Sequence, residues 1–204
     1  MGNYLNPGNE KFAKSINSEI YVDKSELIKY TNKVFNTMQE YICVSRPRRF
    51  GKSVTANMLT AYYSRGCDSA QLFQNLKIAK DENYPKYRNQ FNTISLNMQE
   101  FLSRSSHVEQ LIWRLKKAVI RELKKEYPAE EDLTQCMADI YEESRCPFVV
   151  IIDEWDCIFR ELKENKKAQE NYLDFLRDLL KDKGYLHLVY MTGILPIKKY
   201  GTHS

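Results

Sequence analysis

The chain has 204 residues, of which 43% are hydrophobic and 28% charged, with a formal net charge of +4. This length suits one domain with a real core, and the composition argues against disorder. The charge is too small to argue for nucleic acid by itself. Five scattered cysteines, with no Cys-x-x-Cys pair, argue against a disulfide framework or a zinc site and for a reducing cytoplasm. The segment Met1–Pro7 has neither the basic nor the apolar region of a signal peptide, and no apolar run approaches the roughly 20 residues of a membrane span. His107, His187 and His203 are far apart and support no metal or triad reading.

From the amino end, residues 8–20 form a short amphipathic stretch with Phe12, Ala13 and Ile16 on one side. Ile20-Tyr21-Val22 reads as a brief extended piece. Asp23 is the expected N-cap of a helix through about Phe35, with Leu27, Ile28, Val34 and Phe35 inward. This block, residues 1–36, is expected to pack as a helical segment on a core of residues 37–204. Its role is either a cover on the sheet or contact with a nucleotide base, with Tyr21 and Asp23 as candidates for the latter.

A short β-rich run, Tyr41–Ser45, then meets a turn and Gly51-Lys52-Ser53. Val54, Met58, Leu59 and Tyr62 follow at helical spacing. Strand, turn, Gly-Lys-Ser and helix together are the context of a phosphate-binding loop. Backbone N–H groups at a helix N-terminus point at an anion, and the helix dipole favours negative charge there. The candidate nucleotide-binding set is Arg48, Arg49, Phe50, Gly51, Lys52, Ser53 and Val54. Lys52 would reach the β- and γ-phosphates, and the Ser53 hydroxyl would ligate Mg²⁺. The glycine usual six residues before the lysine is Arg46 here, so a stiffer, more cationic turn is expected.

Gly66 is the expected C-cap of that helix. A short helical turn is expected over Ala70–Phe73, and Asp81–Gln90 reads as a polar surface connection. Phe91–Met98 reads as a strand. A long helix is expected over Ser106–Glu126, with Val108, Leu111, Ile112, Leu115, Val119 and Leu123 on one face. Its other face carries Arg114, Lys116, Lys117, Arg121, Lys124 and Lys125, with Glu122 and Glu126 interspersed. That is a solvated face or a nucleic-acid patch. Asp132–Ser144 carries a further helical stripe.

Cys146–Asp156 is the second chemical stretch. An apolar run bounded by Pro147 and an acidic pair reads as a fully buried strand over 147–153. It delivers Asp153 and Glu154 at its carboxyl end, where open α/β sheets place ligands. Asp153 suits the outer sphere of a Mg²⁺, and Glu154 suits a general base or positioner of water. A helix over Lys167–Lys181 is expected to stop at Gly184. Tyr185–Met191 reads as a strand ending in Thr192, whose hydroxyl would sense the γ-phosphate, hold the attacking water or simply make a turn. Ile194–Ser204 reads as a tail.

Tyr21-Val22-Asp23-Lys24-Ser25, Ser45–Ser53, Ile151–Asp156 and Met191–Ile194 together resemble the AAA-ATPase-like family of bacterial proteins, over nearly the whole chain. The resemblance implies an α/β three-layer P-loop NTPase of the ASCE class, with a mostly parallel sheet. Its sensor strand would sit between the phosphate-loop (Walker A) strand and the acidic (Walker B) strand. It carries over Lys52 and Ser53, the acidic pair Asp153 and Glu154, and Thr192 as a sensor. Trp155 stands where tyrosine is more common in that family, and Asp156 is shared without an assigned role.

The resemblance also implies five strands in the order 5-1-4-3-2. Four are legible, so the phosphate-loop strand is expected at an open edge of a core incomplete at its C-terminus. Members often carry a nuclease-like PD-(D/E)XK domain, which implies a nuclease-like partner domain, nucleic acid or an oligomer as partners. No arginine is assignable as a finger. The reading is a Mg-ATP-binding ATPase core. The rival is a binding module without turnover, contacting nucleic acid or a protein through Arg46, Arg48, Arg49 and the basic helix. A small-molecule kinase is a weaker third, since no acceptor site is legible.

Overall fold

The computed structural model describes residues 2–126 and 132–195. Among these, four strands form one sheet: β1 (Tyr41–Ser45), β2 (Asn92–Asn97), β3 (Phe148–Asp153) and β4 (Leu186–Gly193). Their order is β1-β4-β3-β2, and every pair is parallel. β4 thus lies between the phosphate-loop strand and the acidic strand, as the resemblance implies, and β1 lies at an edge.

β3 is buried at every position. Its side chains alternate between two cores, Phe148, Val150 and Ile152 in one and Val149 and Ile151 in the other. A strand covered on both faces has no solvent side, hence the unbroken apolar run. On one face lie α1 (Glu10–Ile16), α2 (Glu26–Val34), α3 (Lys52–Tyr63) and the short α4 (Ala70–Phe73) and α5 (Tyr84–Tyr87). On the other lie α6 (Met98–Ser103), α7 (Val108–Glu126), α8 (Leu133–Ser144), α9 (Cys157–Glu161) and α10 (Lys166–Leu180). The result is a three-layer α/β/α sandwich.

The alternation slips once. Phe148 pairs with Leu186 and Val149 with Leu188, so His187 is an extra residue on β4. Leu186 and Val189 face one core, while Leu188 and Tyr190 face the other. Burial holds the His187 imidazole below its ordinary pKa, between the rings of Phe35 and Tyr141.

A polar network fixes α2 on α3. The Thr31 and Tyr63 hydroxyls share a hydrogen bond of 2.7 Å, and Tyr63 donates to Asn32 Oδ1 at 2.8 Å. Asn32 Nδ2 donates to the Tyr62 hydroxyl at 2.9 Å, and that hydroxyl donates to the Tyr84 carbonyl at 2.7 Å. Buried hydroxyls and amides demand partners, so this set specifies one seating of the N-terminal helices on α3.

The segment before α1 has a role that the sequence did not reveal. Leu5 bridges Ile94 in antiparallel fashion, with Asn6 N donating to Thr93 O at 2.7 Å and Ser95 N to Tyr4 O at 2.9 Å. It covers the outer edge of β2, which would otherwise expose unpaired backbone. The clamp is Glu122 on α7. Its carboxylate accepts from the backbone N–H groups of Asn3 at 3.0 Å and of Tyr4 and Leu5 at 2.8 Å. Glu122 therefore does not belong to the solvated face. It is buried, on the side of α7 turned to the N-terminal segment.

Other expectations are corrected. Asp23 does not cap α2, which begins after Ser25. Its Oδ1 instead accepts from Ser25 N at 2.8 Å, and its Oδ2 from Lys77 N at 2.9 Å, joining the start of α2 to the 3₁₀ turn Lys77–Lys80. Gly66 does not end α3: Ser64 N closes the helix on Thr60 O, and the Ser64 hydroxyl accepts from Gly66 N. Gly184 does not end α10 either, since the left-handed turn falls on Asp182, which tolerates it through its short polar side chain. The 81–90 connection is not all surface, because Tyr84 is buried on α5. α6 and α9 were not expected. The residues from Pro196 of the expected tail lie outside the described residues.

Replacing Glu122 by alanine leaves three backbone donors without their charged acceptor. Urea unfolding should show a loss of about 2–4 kcal/mol, and amide exchange at residues 3–5 should accelerate. The Asp23 carboxyl is pushed up by burial, but the hydrogen bonds from Lys77 and Ser25 outweigh this and hold it below its ordinary 3.8. Its contribution is therefore present at neutral pH and lost as pH falls through the lowered pKa. The stability gap between the native chain and Asp23→Asn should stay constant down to the ordinary carboxylate range, then close; melting curves against pH test this.

Candidate functional site

The sheet's carboxyl edge gathers the residues that carry chemistry. β1 ends at Ser45, and the turn over 46–51 leads into α3. Gly51 is the N-cap of α3, with φ 73°. That left-handed backbone suits glycine. Arg49 shares it at φ 68°. No side chain caps α3, so its first N–H groups have no intrahelical partner. Lys52 is buried and curls back over the loop, donating to Arg46 O at 3.0 Å and Pro47 O at 2.9 Å. Arg48, Arg49 and Phe50 are exposed at the rim, Ser53 is exposed and Val54 half-buried. Lys24 donates to Phe50 O at 2.5 Å, a second ammonium at this turn that the sequence reading had not singled out.

Two strands away, β3 ends at Asp153. The Asp153 Oδ1 accepts from the Thr192 hydroxyl and, at 3.0 Å, from Glu154 N. Thr192 is fully buried on β4, opposite Val44 of β1. It therefore stands between the loop strand and the acidic strand, and its hydroxyl proton is committed to Asp153. The structure thus brings Asp153 and Thr192 into direct contact, and puts Ser53 and Asp153 on one cavity.

Glu154 departs from ordinary geometry. Its φ is 56°, uncommon for a residue with a β-carbon and a feature that clusters at functional sites. Its carboxylate is bound by Arg160 of α9. Arg160 Nε also lies 3.3 Å from Asp156 Oδ1. Asp156 has no exposure, and its Oδ2 accepts from Ile194 N at 2.8 Å and Leu195 N at 2.7 Å. It therefore fastens the turn after β3 to the end of β4. Arg160 escaped the sequence reading, although its spacing of four from Asp156 on a short helix was a usable signal.

Two cavities flank the loop. One, of about 450 Å³, is largely apolar and lies between the end of the N-terminal segment and α3, lined by Ile20, Tyr21, Val22, Phe50, Val54 and Met58 among others. Burial, with Asp23 nearby, pushes the Tyr21 hydroxyl to about 12, so it stays a neutral donor. The other, of about 700 Å³, is polar and includes Ser53, Asn57, Asn97 and Asp153.

Residues 8–202 match the family described as predicted AAA-ATPase. The chain belongs to this AAA-ATPase-like family. The membership makes it a nucleotide-binding ATPase at a coarse level, on a fold that places the loop and the acidic strand as that class requires. No curated protein matches the sequence. No helix among the described residues is long and apolar enough to cross a membrane.

On the basic face of α7, Lys116 is drawn toward Asp132 and Asp178, at 3.9 and 4.0 Å. Trp113 is exposed with Lys117 over its ring. Arg46 is exposed with Arg48 and Arg49.

Gly193 follows Thr192 and is crowded. A β-carbon there would stand 2.7 Å from Trp155 Nε1 and 2.9 Å from the Asp156 carboxyl carbon. Gly193→Ala should displace the Asp156 turn and destabilise the fold by about 1–3 kcal/mol. Thermal unfolding would register it, whereas alanine at the open position Gly184 should have far less effect.

Proposed function

We propose that this AAA-ATPase-like chain binds a purine nucleoside triphosphate with Mg²⁺ and hydrolyses it by in-line attack of water. The observation that carries this is the convergence of the Lys52 loop, the Asp153 carboxylate and the buried Thr192 hydroxyl at one end of a parallel sheet. The N-terminus of α3 and the Lys52 ammonium stabilise the phosphates. Ser53 and Asp153 share a cavity, and a hydroxyl with a carboxylate, phosphate oxygens and water is the oxygen set Mg²⁺ takes. They would hold the ion, which supplies charge neutralisation at the phosphates.

Glu154 orients the water. Its oxygen bonds to the γ-phosphorus as the bridge to the β-phosphate breaks. The water proton passes to the carboxylate or to the phosphate released. The apolar cavity beside α3 suits the base, with Tyr21 against it. Tyr21 is favoured over Asp23 for that part because it lines this cavity, whereas the Asp23 carboxylate accepts from Ser25 and Lys77.

Calorimetry with Mg-ATP and phosphate release on the same samples test the reading. Lys52→Ala should weaken binding by about tenfold or more, which is about 1.4 kcal/mol. Glu154→Gln should keep binding and lose turnover by roughly 10² or more. A folded chain that binds no triphosphate would overturn the proposal.

A further inference from the structure

We propose that Arg160 holds Glu154 away from the attacking water in the resting chain, and that hydrolysis requires the guanidinium to release Glu154, with Asp156 as its second seat. This rests on Glu154 being the water-orienting carboxylate.

The ion pair is sheltered, with side-chain exposures of 14% for Arg160 and 23% for Glu154. The guanidinium engages Glu154 Oε2 and draws the side chain toward α9, so while that bond is kept this oxygen is not available to orient water. The pairing sits on a left-handed backbone step at Glu154. Arg160 therefore stands as a positioning residue acting on Glu154.

The second seat is already built. Asp156 Oδ1 and Arg160 Nε are 3.3 Å apart, yet among the described residues neither makes a well-formed hydrogen bond. Two buried, oppositely charged groups left short of a bond form an incompletely satisfied network, which a small movement of the guanidinium would complete. Release of Glu154 would let the guanidinium complete its bond to Asp156. The movement thus exchanges one carboxylate for another rather than leaving a charge alone, which would be costly.

The seat is also connected to the phosphate side. Asp156 Oδ2 is held by the backbone of Ile194 and Leu195, two and three residues beyond Thr192. Thr192 itself is bonded to Asp153. A triphosphate drawing Thr192 or Asp153 toward its terminal phosphate would shift the strand end that carries the Asp156 contacts. Both arrangements of Arg160 are then biased by the ligand, which is what coupling requires.

The test compares the native chain with Arg160→Gln, Arg160→Lys and Arg160→Gln/Glu154→Gln, at saturating Mg-ATP with binding measured in parallel. Arg160→Gln should raise basal turnover by about tenfold or more with nucleotide affinity unchanged. Arg160→Lys should lie between the two, and the added Glu154→Gln should abolish the gain. Lower turnover in Arg160→Gln would mean that the arginine assists the chemistry, and would overturn the proposal. Equal turnover, or none in any variant despite tight binding, would overturn it as well.

Should Arg160→Gln not fold, Arg160→Lys gives the rate comparison. A thermal-melting cycle on Arg160→Lys and Glu154→Gln gives the coupling of the pair. The coupling should be present without nucleotide and fall with a non-hydrolysable ATP analogue; coupling unchanged by the analogue overturns the proposal. Loss of the ATPase reading itself would look different: native chain and Lys52→Ala would then bind triphosphate equally poorly.

Discussion

A strand buried on both faces can present polar side chains only at its ends. β3 is such a strand, and the placement of the site follows from it. Its interior positions are committed to two cores, so the change from Ile152 to Asp153 marks where the sheet meets the polar cavity. Because all four strands run in parallel, β1, β3 and β4 finish at the same edge. The phosphate-loop turn, the acidic pair and Thr192 are thereby gathered from stretches far apart in the chain, without any local sequence signal that they belong together.

This explains what was legible. β3 and α7 were readable because burial writes itself directly into sequence, as an unbroken apolar run or as a stripe such as Val108, Leu111, Leu115 and Val119. The Gly51-Lys52-Ser53 turn was readable because few residues tolerate what its backbone requires. The strand order came from the resemblance, since nothing in β4 alone says that it lies between β1 and β3. Illegible were features settled by tertiary partners. Glu122 reads as one more charge on a charged helix until the backbone of residues 3–5 is laid against it. Asp23 has the spacing of a cap, yet Lys77, more than fifty residues away, competes for its carboxylate. The spacing of Arg160 hints at Asp156 alone, and only the fold brings it onto Glu154 as well.

The site also shows how differently two adjacent carboxylates can be used. Asp153 continues the strand and takes its bonds from neutral donors, the Thr192 hydroxyl and a backbone N–H. Glu154, one residue on, leaves the strand direction through a left-handed step and meets a cation. Asp156 is deeper still, fully enclosed and tied to the backbone of the next strand end. One acidic turn thus supplies a carboxylate on the polar cavity, a paired one and a structural one, separated by backbone conformation and burial rather than by residue type. The N-terminal block contributes in a complementary way: it roofs the outer edge of β2 and, through Tyr62 and Tyr63, fixes the apolar wall beside the phosphate loop.

The position of β4 has a consequence for how such a molecule is made. The last of the four described strands is an inner one, so β1 and β3 have no direct partnership and cannot form this sheet without it. While the polypeptide emerges from the ribosome, β1 and one side of β3 remain unpaired until β4 has been delivered. Long-range parallel pairing of this kind is slow, and the nascent chain exposes adhesive edges in the interval. Assembly of the phosphate-binding end is therefore a late event in folding, and one at which a chaperone would have the most to shield.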